Sequence, residues 1–361
     1  MVKAVYIHIP FCKNICSYCA FCKMYTNKER IDKYLKVLDE EIKENYQNEK
    51  IKTIYVGGGT PSDLNNKQLK YLLEIIEKIK KQEDYEFTFE CNISVEKEKL
   101  ILLKEYGVNR LSFGIETISN RLLKRMNRNH TKKEVKEKID LCRKLGFNNI
   151  NGDLMYAFEE ETDKELEEDI EFLLSLNLEH ISTYSLIIEE HTKLFLEGYQ
   201  NCKEEKEEEM YQKIHRNLIE NEYIHYEISN FAKKGYNSIH NLTYWNNEEY
   251  YGFGMSASGY IGEIRYKNTQ SFTKYLKKEF KYEVEKLDIY DKMSYEMILG
   301  LRLKEGVNIE KFTEKYKKKI EDVFEINELL KAGYLKKKKA NIYIPFDRWY
   351  VQNYILEKFV R

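Results

Sequence analysis

The chain has 361 residues, enough for two or three domains and a sizeable buried core, which excludes a mini-protein held by disulfides. Its 60 Lys and Arg against 61 Asp and Glu leave a formal charge of -1, excluding a global basic field that would draw it to nucleic acid or anionic lipid. A hydrophobic fraction of 42% with only 3 Pro and 16 Gly excludes disordered and collagen-like sequence, and no apolar run approaches the ~20 residues of a membrane helix.

In chain order, extended apolar runs are expected at 4–9, 51–56, 85–90, 109–114, 148–154 and 179–186, each followed by a helix. The helices are expected at 28–46, 65–80, 95–106, 119–125 with 132–145, 164–176 and 203–222, and Thr131 and Thr162 are candidate caps. Strands alternating with helices imply parallel pairing through crossovers, in an open barrel or a doubly wound sheet. Unusual residues follow strand after strand: the cysteine cluster, then GGGTP, then Glu90, Glu116 and Asp153. Chemistry spread over many carboxyl ends favours the barrel, here a partial (β/α)6 barrel over 1–230. Residues 231–280 read as irregular Tyr-, Trp- and Gly-rich chain. Residues 281–361 read as a smaller α+β domain, helical with a hairpin of 334–335 against 342–344 and lysines at its tip. That domain resembles a winged helix, but Lys336, Lys337, Lys338 and Lys339 read as a solvated tip, and no nucleic-acid partner is expected.

Seven cysteines are an odd number, and four crowd between Cys12 and Cys22, which reads as a metal site rather than a disulfide framework. Cys12, Cys16 and Cys19 form CxxxCxxC in the loop leaving the first strand. Three thiolates on one short loop can hold three irons of a 4Fe-4S cube and leave the fourth open. A structural zinc knot that includes Cys22 is the competing reading, although such knots usually pair two CxxC units from separated segments. In the glycine run, backbone amides can approach a ligand without Cβ interference; a plain tight turn is the alternative. The N-terminal residues show neither a charged leader nor a cleavage site, so a cytoplasmic location is expected.

The stretches VYIHIPFCKNICSYCAF, GGGTPS, GVNRLSFGIET with MNRNHT, NGDLMY, YEISNF, HNLTYW and LGLRLKEGV resemble the radical S-adenosylmethionine (SAM) family of the oxygen-independent coproporphyrinogen III oxidases and their close relative, the heme chaperone HemW. The resemblance implies a cluster whose open iron chelates SAM and whose electron cleaves the sulfonium to a 5'-deoxyadenosyl radical. It implies that Tyr6, Gly58 and Glu90 position that SAM, and that Tyr18, Gly59, Thr60, Glu116, Arg128, Asp153 and Ile187 correspond to contacts of a second SAM in the oxidase. Without the resemblance, Glu90, Glu116 and Asp153 read equally as salt-bridging groups in a barrel mouth. Where the family commonly reads GVQS, GLPGQT, ENP and GPGA, this chain departs, with Glu116 in place of a neutral amide, AFEEET from Ala157 to Thr162, Cys91 within the third pattern and Met255 within the fourth. Those changes leave the cluster ligands intact and alter the second SAM site.

Three features separate the two relatives. The oxidase carries CxxxCxxCxC and a longer N-terminal extension, whereas here Phe21 stands two residues after Cys19 and eleven residues precede Cys12. The segment from His240 to Trp245 fits the HNxxYW pattern typical of HemW. A neutral imidazole can ligate heme iron and Tyr244 and Trp245 can offer flat apolar surface; alternatively, His240 bonds within an ordered loop and the aromatics plug the barrel. Cys202 is a rival thiolate ligand. The resemblance therefore implies a heme chaperone rather than an oxidase or a radical SAM methyltransferase. Its cofactors would be a 4Fe-4S cluster, SAM and heme. Its partners would be heme-accepting proteins and a flavodoxin- or ferredoxin-type electron donor, with no transmembrane segment and room for transient membrane association.

Overall fold

The computed structural model describes residues 2–360. Six strands, β1 (Ala4–Ile9), β2 (Ile51–Gly58), β3 (Lys81–Cys91), β4 (Arg110–Glu116), β5 (Ile150–Tyr156) and β6 (His180–Ser185), lie side by side in chain order, each parallel to the next. A helix follows each. Thr131 and Thr162 close capping boxes with Glu134 and Glu165, satisfying backbone N–H groups that the first helical turn leaves unpaired.

Side-chain alternation in these strands explains the barrel. Val5 and Ile7, Ile54 and Val56, Phe87 and Phe89, Leu111 and Phe113 belong to one buried apolar core beneath the helices. The alternate positions carry Tyr6 and His8, Thr53 and Tyr55, Thr88 and Glu90, Arg110 and Ser112, Asn151 and Asp153, His180 and Ser182, brought level by the register. They bond one another along this face, within and between neighbouring strands: Tyr55 donates to Glu90 at 2.8 Å, and Asn151 donates to Ser112 at 2.8 Å and to Asp153 at 2.7 Å. Parallel strands covered on both faces are usually apolar throughout. Here one face is a polar lumen whose groups must satisfy each other.

The segment 231–280 is ordered rather than irregular, with strands and the short helices Ile239–Trp245 and Phe272–Leu276. Tyr250–Phe253 adds in parallel beside β1, and Ser258–Ile261, Ile264–Asn268 and Lys281–Lys286 continue the sheet as antiparallel strands. At the other edge Asn230–Ala232 and Ile224–Glu227 pair antiparallel beyond β6. These strands are only three to six residues long, too short to show a period. The C-terminal part packs helices Ile289–Gly300, Ile309–Tyr316 and Ile326–Lys331 with a small sheet of Val307–Asn308, Asn341–Tyr343 and Lys336–Lys338. Lys336, Lys337 and Lys338 therefore form the exposed edge strand rather than the tip, where charge discourages pairing with another chain. Only Lys339 and Ala340 turn the hairpin, Lys339 with φ +54°.

Several carboxyls are buried in this frame. Burial pushes Glu41, Asp169 and Glu227 up to about 7 and Glu161 up to about 8. Above the ordinary histidine value of 6.5 the buried histidines are neutral whether folded or not, while these acids still hold protons that the unfolded chain has released. Native stability is therefore expected to fall as pH rises from about 6.5 to about 8. The thermal midpoint followed by circular dichroism checks this, and a midpoint that rises over that interval contradicts it.

Candidate functional site

The carboxyl ends of the barrel strands open on a cleft of about 300 Å³, the lower end of the size of ligand pockets. The loop between Cys12 and Met24 is pinned at both ends, because Phe11–Cys12 pairs in parallel with Met24–Tyr25. Its middle is held by the helical hairpin after β4: Ser17 Oγ donates to the Arg125 carbonyl at 2.6 Å, and Asn127 Nδ2 donates to the Ile15 carbonyl at 2.9 Å. Asp63 accepts from the Lys13 amide and from Asn92 Nδ2, each at 2.6 Å. This fixes the start of the loop against the segment after β2.

Cys12, Cys16 and Cys19 all line the cleft; Cys22 does not. Burial pushes the free Cys12 thiol up to about 12 and also raises Cys19, so metal binding must displace their protons. Cys12, Cys16 and Cys19 share one cleft wall, and Cys12 feels the charge of both other thiols. Three thiolates on one loop suit three irons of a 4Fe-4S cube, so the donor set fits such a cluster.

Beneath the loop, His8 Nε2 lies 2.9 Å from the Cys22 carbonyl, which can only accept, so Nε2 carries the proton and Nδ1 accepts from Tyr6 Oη at 2.9 Å. Burial lowers His8 to about 4 and keeps it neutral. The glycine run was expected to make room for a ligand, but its Cβ positions are filled by the protein. A Cβ on Gly58 would stand 2.3 Å from the His8 ring, with φ at +110°, and one on Gly57 would stand 2.5 Å from the Glu90 carboxyl carbon. Glu90 grips the run from below, accepting from the Gly58 amide at 3.0 Å and from Tyr55. Gly58→Val is expected to abolish SAM binding and lower the thermal midpoint, read by equilibrium dialysis with labelled SAM. Undiminished binding would remove the glycine run from the site.

On the opposite wall Arg128 Nη2 donates to Glu116 Oε1 at 2.7 Å and Nη1 to the Gly114 carbonyl at 2.9 Å, while Tyr18 Oη donates to the same Glu116 oxygen at 3.1 Å. Arg128 Nε is buried without a partner. Burial and then the Glu116 charge raise Asp153 to about 7, and burial raises Glu90. Asp63, Glu90, Glu116 and Asp153 share the cleft lining with Lys13, Lys23 and Arg128. Carboxyl acceptors suit a ligand ammonium or ribose hydroxyls and a guanidinium suits a ligand carboxylate, so the lining fits SAM.

The cleft thus brings together the three cysteines with Tyr18, Gly58, Gly59, Thr60, Glu90, Glu116, Arg128 and Asp153. Three expected residues lie outside it. Tyr6 sits in the lumen under the floor, reaching the site through His8. Ile187 is 64% exposed in the chain after β6, with no part in the cleft lining. His240 is buried deep in the lumen, its Nδ1 3.2 Å from Thr53 Oγ1 and its Nε2 2.7 Å from Tyr244 Oη, and burial lowers it to about 3. The Glu86 carboxylate draws it there by capping the helix Ile239–Trp245, accepting from the Ile239 and His240 amides at 3.1 and 3.0 Å. Both His240 nitrogens are engaged within the lumen, by Thr53 and Tyr244, whereas Leu242 and Trp245 of the same helix line a separate groove. Cys202 is buried, and its thiol is raised by that burial, which disfavours a thiolate. Asp63, Asn92 and His8 escaped the sequence reading. Their signal is position: His8 shares the lumen register with Tyr6, and Asp63 ends the turn that begins at the glycines.

Comparison with known proteins agrees with this geometry. Residues 6–173 match the radical SAM superfamily and residues 287–345 match the HemN C-terminal domain. The heme chaperone HemW of Lactococcus lactis subsp. lactis (strain IL1403) is 40% identical, covering 99% of this chain and 97% of its own length. That of Bacillus subtilis (strain 168) is 38% identical, covering 99% of each. The structure of the coproporphyrinogen III oxidase HemN from Escherichia coli superposes with a TM-score of 0.88 at 19% identity, covering 99% of this chain and 90% of that one, which shows the shared fold. On these grounds the chain belongs to the HemW family of radical SAM proteins.

Proposed function

We propose that this protein is a heme chaperone: it binds heme, holds a 4Fe-4S cluster and SAM in the barrel cleft, and passes heme to heme-accepting proteins. The observation that carries this reading is the near-full-length similarity to relatives named heme chaperone HemW. Phe21 at the oxidase's extra cysteine position, itself 70% exposed, supports it. Among the described residues no helix is long and apolar enough to cross a membrane. The cytoplasm, and a flavodoxin- or ferredoxin-type electron donor, complete the proposal.

Each wall of the cleft has a role in it. Cys12, Cys16 and Cys19 hold three irons, and Asp63, Ser17 and Asn127 keep their loop in one conformation. Glu90 and Asp153 accept from the ammonium or the ribose hydroxyls of SAM, and Arg128 faces a carboxylate. When bound, the cluster supplies the electron that cleaves the SAM sulfonium.

The second reading, oxidative decarboxylation of coproporphyrinogen III, rests on the HemN fold, and a fold does not fix a function. An anaerobic assay with reconstituted protein, SAM, a strong reductant and coproporphyrinogen III separates the two. No turnover is expected; accumulation of protoporphyrinogen IX over many turnovers would make the protein an oxidase.

A further inference from the structure

At its carboxyl end β2 runs across the chain that leaves β1. The Gly59 amide donates to the Ile9 carbonyl and the Thr60 amide to the Phe11 carbonyl, each at 2.9 Å. Gly59 makes that crossing possible, because a Cβ there would stand 2.7 Å from the Ile9 carbonyl oxygen and 2.8 Å from the Phe11 nitrogen. Both neighbours are backbone and cannot turn aside as a side chain could. Pro61 then opens a short 3-10 turn, which the Asp63 amide closes by donating to the Thr60 carbonyl at 2.8 Å.

These bonds bring Thr60 level with Cys12. Thr60 Oγ1 lies 3.5 Å from Cys12 Sγ, an ordinary separation for an acceptor as large as sulfur. Among the described residues it makes the only side-chain hydrogen bond to any of the three ligand sulfurs. The same turn holds the next residue of the loop, through Asp63 and the Lys13 amide. Cys12 is buried while Cys16 and Cys19 are partly exposed, so water competes least for its sulfur and a hydrogen bond there counts most.

The direction of the bond follows from the chemistry of the ligand. A cysteine on iron is a thiolate with no hydrogen to give, so the Thr60 hydroxyl donates. Reduction of a cluster adds negative charge that the irons share with their sulfur ligands. A hydrogen bond donated to one of those sulfurs therefore stabilises the reduced form more than the oxidised form, and the reduction potential rises.

We infer that Thr60 is a positioning residue for the iron–sulfur centre: its hydroxyl holds Cys12 Sγ and raises the reduction potential of the cluster. The inference rests on the cluster ligands of the reading above and deepens it. Thr60 has one hydroxyl hydrogen and gives it to sulfur, so only its lone pairs remain for a ligand in the cleft. A higher potential makes the cluster easier for an electron donor to reduce and a weaker reductant of the SAM sulfonium.

The test is a redox titration of the reconstituted full-length protein without SAM, followed by the electron paramagnetic resonance signal of the reduced cluster. Leaving SAM out removes any effect of Thr60 as a SAM contact. Wild type is compared with Thr60→Val, which keeps the shape and loses the hydroxyl, with Thr60→Ala, and with Thr60→Ser, which keeps the hydroxyl. Midpoints are compared at equal iron and acid-labile sulfide content. Thr60→Val and Thr60→Ala are expected to be about tenfold harder to reduce, a one-electron midpoint about 59 mV more negative. Thr60→Ser is expected to restore the wild-type midpoint. An unchanged midpoint in Thr60→Val or Thr60→Ala, or a Thr60→Ser midpoint as negative as that of Thr60→Val, would overturn the inference while leaving the cluster ligands as assigned. A wild-type protein that assembles no cluster would overturn both.

Discussion

Replacing Cys12, Cys16 or Cys19 by Ala is expected to abolish the iron–sulfur cluster, whereas Cys22→Ala is expected to keep it. The three form the cleft wall, while Cys22 lies outside the lining with its carbonyl, rather than its thiol, engaged by His8. A cube with two protein thiolates loses a corner ligand and gains a second exposed iron, so the effect is close to all-or-none. Iron and acid-labile sulfide counted after anaerobic reconstitution give the answer. A cluster retained in Cys12→Ala and lost in Cys22→Ala would reverse the ligand assignment.

Removing Glu116 is expected to be the most damaging single change in the opposite wall. Glu116 and Arg128 are 7% and 19% exposed at their side chains, so the pair is little screened, and Glu116→Ala leaves the guanidinium buried with Nε already unpartnered. Stranding one partner of such a pair costs about 3–5 kcal/mol. Glu116→Gln keeps an oxygen for Arg128 Nη2 and for Tyr18 Oη, and is expected to cost much less. Both variants share the left-handed backbone at φ +62°, so backbone strain cancels from the comparison. Urea unfolding of the cluster-free protein measures the two costs. Equal stability of the Ala and Gln variants would mean that the ion pair does not hold the wall.

How far the molecule can be read from its residues depends on the range of the interactions that decide each part. The six barrel strands and their helices are legible because hydrophobic period is local: β1 occupies the expected 4–9, and β2 begins at the expected Ile51. The capping boxes at Thr131 and Thr162 are local for the same reason. Tyr250–Phe253 is not legible, since its partner is β1 at the other end of the barrel domain and four residues show no period. The polar lumen was written in the alternation of Tyr6 and His8, Thr53 and Tyr55, Asn151 and Asp153. Its meaning appears only when the register sets those rows level.

The candidate site divides in the same way. CxxxCxxC lies on one loop, and its spacing carries the assignment. The role of His240 depends on which strand its ring meets, and Thr53, Glu86 and Tyr244 hold it in the lumen, away from any open surface. The glycine run was legible as a close approach, but the approaching groups turned out to be His8 and Glu90.

The central claim, that the protein hands on heme, is tested most directly by transfer. Protein loaded with one equivalent of heme, reconstituted with its cluster and supplied with SAM, is mixed anaerobically with an apo-form heme protein whose holo spectrum differs from its own. The donor signal is expected to decay as the acceptor signal grows, faster than acceptor loading from an equal concentration of free heme that is first captured by albumin. Heme that stays on the protein through many acceptor half-lives, or that leaves at the same rate with and without acceptor, would contradict a chaperone.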